Sequence, residues 1–342
     1  MVPPVAVRIL HRDPGTSAGP LERRLAELRL RAAERTRVAF EQLGADASIE
    51  QQPAGDRPFG DRLRGLVAPL PPQAGLVVLG SGAAAPARAT DLAPFVATAT
   101  SSGAAALANN RYSADIVAIA RAGVLRDAPD LPNDNALPRW LEEVAGYRVD
   151  DLRSRWRLQV DLDTPLDGVL LGWHVDGADA VGDVLARIRQ VAADARCELL
   201  VAGRTSASSL RWLEGSTRSR IRALVEERGL RTSRAGQRPP ASALGMLMER
   251  EGIADAIADL ARLADAALID SRVLLAHRLG PDERAWPTAE DRFASDLLLA
   301  DRIADPWLRQ LTEAVRDSPI PIVLGGHTLV GPGIRLALRG RR

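Results

Sequence analysis

The sequence predicts an α/β protein in two successive halves, a mostly parallel three-layer sheet and then a second, helix-rich α/β half. Three observations carry that expectation. Short apolar runs such as Val5–Leu10, Gly75–Gly80, Glu198–Ala202 and Ala266–Asp270 alternate with longer stretches of helical periodicity. The run Leu76-Val-Val-Leu79 has no polar residue at all, as expected of a parallel strand covered on both faces. Near the middle of the chain, Trp156-Arg-Leu-Gln-Val-Asp-Leu-Asp-Thr-Pro-Leu-Asp167 closes one half before the other begins. It reads as a buried strand, Leu158 to Val160, entering an acidic turn. Carboxylates at the end of such a strand stand where open α/β sheets place their ligands.

Composition narrows the class. With 342 residues, 46% of them apolar and 26% charged, the chain can form two domains with real cores, expected at 1–172 and 176–342. A formal net charge of +1 gives no field for a polyanion, so nucleic acid is not an expected partner. Cys197 is the only cysteine, which excludes an intramolecular disulfide and any cysteine-built zinc or iron–sulfur site. All 45 basic residues are arginines. There is thus no Walker lysine, Schiff-base lysine or lysine general base. Phosphate recognition must come from arginine forks, backbone N–H groups and metal ions. The start, Met1-Val-Pro-Pro-Val-Ala-Val-Arg8, lacks the pattern of a signal peptide, and no apolar run reaches spanning length. A cytoplasmic protein without a membrane partner is expected, with a homo-oligomer left open.

Taken in order, the strand Val5–Leu10 is followed by a Gly/Ser/Thr loop and a helix from Pro20 to Leu43, with Gly44 as its stop. Such a loop can hold an anion at the helix start or simply turn the chain. A short helix over Phe59–Arg64 precedes the Pro-rich segment Pro69–Pro72. The central strand Gly75–Gly80 breaks into Gly80-Ser81-Gly82, and Thr90-Asp91 opens a helix through Val96. A weak strand, Ala104–Leu107, leads to Asn109-Asn110-Arg111-Tyr112-Ser113-Ala-Asp115 and a second apolar run, Ile116–Ala120. Asparagine amides with an arginine fork can read a base edge or clasp a sugar hydroxyl, and Tyr112 can stack on a ring. Asn-Asn pairs are equally ordinary turn formers. A turn-rich link, Pro129–Asn135, and a helix, Leu137–Val144, complete the half.

This order of elements resembles a divergent nucleotidyltransferase of the glycosyltransferase-A-type fold, over residues 1 to about 172. Molybdenum-cofactor nucleotidyltransferases and 2-phospho-L-lactate guanylyltransferases are the groups it is most similar to. Phe59-Gly-Asp-Arg-Leu-Arg64 looks like the family's Gly-x-x-Leu helix. Leu76-Val-Val-Leu-Gly80-Ser81-Gly82, with Pro86 and Asp91-Leu92 behind it, is placed like its strand ending in Gly/Ser-Asp-x-Pro. Val160-Asp161-Leu-Asp163-Thr-Pro-Leu-Asp167 is similar to its Asp-x-Asp-Thr-Pro-x-Asp. The resemblance implies a sheet of the nucleotide-diphospho-sugar-transferase type. It also implies Mg²⁺ on Asp161 and Asp163 and a nucleotide near Gly80, Ser81 and Gly82. Two pieces depart from the family pattern. The opening loop is Pro14-Gly-Thr-Ser-Ala-Gly19 with no lysine downstream, and Gly80-Ser81-Gly82 stands where a metal-binding aspartate is expected.

The second half resembles no family. A helix over Asp183–Val191 and the strand Glu198–Ala202 lead to Gly203-Arg204-Thr205-Ser206, a second loop able to hold an anion. A helix containing Trp212 is expected to run to Arg228, within a cluster from Arg211 to Arg238 that includes Arg218. That cluster fits phosphate or carboxylate binding, or a solvated face with pairs such as Arg222–Glu226. Helices follow from Ser242, Ile253, Thr288 and Asp305. The strands Ala266–Asp270 and Ile320–Leu324 end in Asp270 and in Gly325-Gly-His327. Parallel strand ends converge on one sheet edge, so Asp270 and His327 can form an acid–base pair.

Two functions remain open from sequence. One is Mg²⁺-dependent transfer of a nucleotidyl group from a nucleoside triphosphate to a small phosphorylated or cofactor-precursor substrate. The other is non-catalytic binding of a nucleotide or phosphorylated metabolite by a degenerate domain of the same type. A third centre of chemistry, around Arg204, Asp270 and His327, stands apart from both.

Overall fold

In the computed structural model, residues 5–52, 57–227 and 238–339 are described. The α/β expectation holds in both halves. The division falls between Leu162 and Asp163, ten residues or so before the expected one, and Ala18–Leu25 belongs with the second unit.

The first unit is built on six strands, β1 (Ala6–Arg12), β2 (Asp46–Gln52), β3 (Leu76–Gly80), β4 (Ala105–Ala108), β5 (Ile116–Ile119) and β6 (Arg148–Asp151). They lie in the order β2-β1-β3-β5-β4-β6. Only β5 runs against its neighbours β3 and β4; the other pairings are parallel. Strand alternation sends successive side chains to opposite faces and so makes two cores. Leu76 and Val78 meet Phe59, Leu63 and Val67 of helix α2 (Phe59–Val67), and Leu137 and Leu141 of a helix that starts at Ala136. Val77 and Leu79 meet Phe40 of α1 (Pro20–Gln42) and Leu92 and Phe95 of α3 (Ala89–Ala99). The helix at Ala136–Glu143 is α4.

Two strands of this sheet carry no apolar run. Both β2 (Asp-Ala-Ser-Ile-Glu-Gln-Gln) and β6 (Arg-Val-Asp-Asp) are edges, and edges need no continuous apolar run. The expected strand Leu158–Val160 is not one. Trp156–Gln159 forms a short 3₁₀ turn, and side-chain amides replace the ladder: Asn109 Nδ2 donates to the Leu158 carbonyl and Gln159 Nε2 to that of Asn109. Leu158 is fully buried in the core all the same.

The second unit opens with α5 (Pro165–Leu170) and α6 (Asp179–Ala193). Its sheet holds β7 (Glu198–Gly203), β8 (Arg220–Val225), β9 (Ala266–Asp270) and β10 (Ile322–Gly325), all parallel, in the order β10-β9-β7-β8. Strands β7, β9 and β10 are buried on both faces. The helix around Trp212 stops early: α7 spans Ala207–Ser216, and Arg220–Val225 is the exposed edge strand rather than its continuation. In that strand Arg222 pairs with Glu198 across the ladder, not with Glu226 along a helix. Glu226 instead accepts from the Ser242 hydroxyl and the Ala243 amide, anchoring α8 (Ala243–Glu251).

The remaining helices are α9 (Ile253–Leu260), α10 (Ser271–Leu279), α11 (Ala289–Asp296), α12 (Pro306–Arg316), α13 (His327–Val330) and α14 (Ile334–Arg339). Ser242, Thr288 and Asp305 cap their helices as expected, accepting from Gly245, Asp291 and Leu308 amides. Arg228, Arg231 and Arg234 of the arginine cluster lie outside the described residues. Arg218 is exposed. Among the described residues no helix is long and apolar enough to cross a membrane.

Candidate functional site

In the first unit β1 is joined through α1 to β2 on one side, and the chain then returns to lay β3 on the other. Connections that diverge in this way leave a crevice beyond the carboxyl ends of the two central strands. A cavity of about 290 Å³ lies there, lined by Leu10 and Arg12 of β1, Gln52 of β2, and Val78, Leu79 and Gly80 of β3. Phe59 forms an apolar wall, and Arg57 and Arg62 bring two further guanidinium groups. Asp115, Asn133 and Asp134 line the opposite part. Three arginines over the ends of parallel strands suit a phosphate-bearing ligand. Their planar forks match phosphate oxygens pairwise, and the lack of lysine leaves this work to them.

Behind the cavity, on the other face of β1, His11 is buried and its Nδ1 lies 3.0 Å from Ser81 Oγ. Burial pushes the His11 pKa down, Asp13 acts the other way, and Arg29 adds to the depression. The ring is therefore neutral at neutral pH and ties the Gly80-Ser81-Gly82 turn to β1. Of that turn, Gly80 alone lines the cavity. Gly82 is held from the far side, its carbonyl accepting from the Leu162 amide.

Asn109 has no valence left for a ligand. Its Oδ1 accepts from the Asp115 and Ile116 amides, and its Nδ2 donates to Asp115 and to the Leu158 carbonyl. Those four bonds exhaust a carboxamide. Asn110 Oδ1 accepts from the Tyr112 amide in a local turn. Arg111 pairs with Glu142, and Tyr112 is exposed with Arg111 and Arg153 against its ring. Ser113 is exposed. From this segment only Ala114 and Asp115 reach the cavity.

Asp161 and Asp163 fall in different units. Asp161 Oδ1 accepts from the Ala84 amide, which fixes a backbone turn with a positive φ of 48° at Ala84. Asp163 is exposed at the start of α5. The Thr-Pro-x-Asp that follows it is a capping box with proline in the first turn. One oxygen of Asp167 accepts from the Asp163 and Thr164 amides and from the Thr164 hydroxyl. Burial, with the charge of Asp163 next, pushes the Asp167 pKa up to about 7. Among the described residues no group of three or more His, Cys, Asp or Glu side chains could hold a metal ion.

The strand ends of the second sheet gather a different set. Asp270, its side chain fully buried, forms a two-pronged pair with Arg204, Nε at 2.6 Å and Nη2 at 3.1 Å, and caps the Arg272 amide. Arg272 in turn forks onto buried Asp296. Gly203, at φ +124°, allows this approach: a Cβ there would lie 2.3 Å from Asp270 Cβ. His327 meets the same loop, its Nδ1 2.8 Å from the Arg204 carbonyl. The expected direct pair of Asp270 with His327 is therefore replaced by one routed through Arg204, the stronger partner for a buried carboxylate. Ser206 turns to cap α7 by accepting from the Ser209 amide. Nearby protein crowds the exposed His327 ring; that desolvation, and then the charge of Arg204, pushes its pKa down.

Sequence reasoning missed Arg12, Arg57, Arg62, Asn133 and Asp134. They come from a strand end, the approach to α2, α2 itself and a turn-rich link, and no spacing joins them. The available signal lay in Phe59-Gly-Asp-Arg62, where two charged residues follow a core-facing helix start. No family model matches the chain, and no curated protein or solved structure is significantly similar to it.

Proposed function

We propose that the first unit binds a nucleotide or another small phosphorylated metabolite in the cavity beyond β1 and β3. The observation that carries this is the convergence of Arg12, Arg57 and Arg62 on one cavity of about 290 Å³ at the strand switch point. Apolar Phe59 and Val78 offer a surface for a base or sugar, and the arginines offer forks for phosphate.

Nucleotidyl transfer, which the resemblance implies, is the more demanding form of the same reading. It asks for a cation to offset charge on the transferring group. Magnesium needs only one or two protein carboxylates beside phosphate oxygens and water, and Asp115 and Asp134 on the cavity wall are suited to supply them. Asp161, whose Oδ1 accepts from the Ala84 amide, is less suited because it does not line the cavity.

The test is thermal-shift titration with nucleoside mono-, di- and triphosphates, each with and without Mg²⁺. At least one nucleotide should raise the melting temperature of the wild-type chain. Arg12→Ala and Arg62→Ala should each weaken its binding by about tenfold or more, as expected for losing a charge-assisted hydrogen bond. Equal protection of wild type and both variants would remove the cavity as the binding site. Pyrophosphate release from a triphosphate only when Mg²⁺ is present would favour transfer over simple binding.

A further inference from the structure

On one side β8 pairs with β7, parallel and unbroken from Arg220 opposite Glu198 to Val225 opposite Gly203. Among the described residues nothing pairs with its other side. Strands of parallel sheets are ordinarily covered on both faces. Here Arg220, Arg222, Ala223 and Val225 are exposed, Val225 to 55%, while β7 beside them is buried.

The ladder fixes where the backbone of β8 points. The Arg220 amide donates to the Cys197 carbonyl and, just past the strand, the Glu226 amide donates to the Gly203 carbonyl. In a parallel pair alternate residues turn both backbone groups to the same neighbour. Arg220, Arg222, Leu224 and Glu226 are therefore committed to β7, and Ile221, Ala223 and Val225 turn N–H and C=O outward. Such a row is a template for another strand. Edges are usually blunted by proline, by a bulge or by charge projecting over the row. This one has no proline and no bulge. Arg222 folds back over its own sheet, with Nη2 3.1 Å from Glu198 and Nε 3.1 Å from the Leu263 carbonyl.

The strand is complementary to itself. A two-fold axis normal to the sheet sets β8 antiparallel to its copy and keeps each side chain on its own face. Centred on Ala223, that axis places Ala223 opposite Ala223, Ile221 opposite Val225, Arg222 opposite Leu224, and Arg220 opposite Glu226. Apolar residues then meet in the middle and opposite charges meet at both ends. Every outward N–H and C=O of Ile221, Ala223 and Val225 also finds a partner. Centring on Arg222 instead would set two guanidinium groups face to face, and centring on Leu224 would set Ile221 against Glu227.

We infer that β8 is a dimerisation edge: two copies of the chain pair their β8 strands antiparallel about Ala223, so that the two four-stranded sheets become one. This surface belongs to the second unit and is independent of the cavity in the first.

The test is sedimentation velocity of the full chain over the micromolar range, with amide hydrogen exchange at the same concentrations. Wild type should pass from one chain mass to two as concentration rises, and the Ile221, Ala223 and Val225 amides should gain protection in step. Ala223→Pro removes an N–H that no bond within the chain uses, at an edge where proline is tolerated. It should raise the dimer dissociation constant at least about tenfold. Ala223→Asp, which sets two carboxylates face to face, should do the same and covers the case of an unfolded proline variant. In a Cys197→Ser background, Ala223→Cys should link the copies on mild oxidation, its Cα atoms being about 5.5 Å apart across the axis. Arg222→Cys and Leu224→Cys should not. A single chain mass throughout, with or without an added acidic peptide bound, would overturn the inference. So would a dimer indifferent to Ala223→Asp, or cross-linking at position 222 or 224 in place of 223. Protection of the three amides at every concentration would show another segment of the same chain on this edge and would end the case.

Discussion

Replacing Asp167 with asparagine should change how stability depends on pH, and the size of the change follows from its surroundings. Asp167 is buried, and burial together with the Asp163 charge raises its pKa from 3.8 to about 7. Below about pH 4 the carboxyl is protonated in both folded and unfolded chains and has no differential effect. Between pH 4 and 7 the unfolded chain releases the proton while the folded chain keeps it. Folding stability then falls by up to about 1.4 kcal/mol per pH unit from this one group. Above pH 7 both states are ionised and the loss levels off at about 4 kcal/mol. Asparagine keeps an oxygen for the Asp163 and Thr164 amides and the Thr164 hydroxyl, so any fixed cost of the swap is independent of pH. Urea unfolding of wild type and Asp167→Asn from pH 4.5 to 8.5 isolates the effect as a difference curve, in which all other titrations cancel. The variant should gain on wild type steadily up to about pH 7 and then no further. A difference flat across that range would show that the carboxyl is not held in its neutral form.

Other substitutions test the rest of the framework. Gly203→Ala combines a positive φ with a Cβ 2.3 Å from Asp270 Cβ, so it should cost at least about 2 kcal/mol in urea unfolding. A neutral result would refute the close approach. Asn109→Ala removes four buried or half-buried hydrogen bonds, three to Asp115 and Ile116 and one to the Leu158 carbonyl, and should destabilise by about 3 kcal/mol. Its loss should show equally with and without nucleotide if the amide is purely structural. Asp161→Ala releases the Ala84 amide and should cost about 1 kcal/mol, the same in Mg²⁺ and in chelator. A Mg²⁺-dependent difference would restore Asp161 as a metal ligand.

The strands legible in the sequence are those with two buried faces. Gly75–Gly80, Glu198–Ala202 and Ala266–Asp270 proved to be strands because covering both faces demands a nearly continuous apolar run, and Val5–Leu10 did so with Arg8 as its single interruption. The edges β2, β6 and β8 were illegible for the converse reason. In Arg220-Ile-Arg-Ala-Leu-Val225 most side chains face solvent, and a run of arginines and small residues reads as readily as a helix. Arg204, Asp270 and His327 could be grouped from sequence because each follows a parallel strand, and parallel strands end on one edge. The direction of Asp270 toward Arg204 could not, since it depends on the backbone that Gly203 permits. The arginine cavity was hidden for another reason. Its members belong to segments brought together only by the order of the sheet, and that order rests on the unrecognised edge β2 and the reversed strand β5.

The acidic stretch between Val160 and Asp167 shows why a motif can point to a place without stating its task. Thr164, Pro165 and Asp167 meet every requirement of a helix start: a capping hydroxyl, a first-turn proline and an acceptor at the third position. Asp161, six residues before Asp167, holds the turn after β3 instead. Each of these residues thus has a sufficient structural reason to be where it is, and none needs a metal to explain it. Asp163 lies on the second unit's side of the boundary, and its charge acts on the His327 ring. The residues of the motif are thus divided between a turn of the first unit, held by Asp161, and a helix start of the second, held by Thr164 and Asp167.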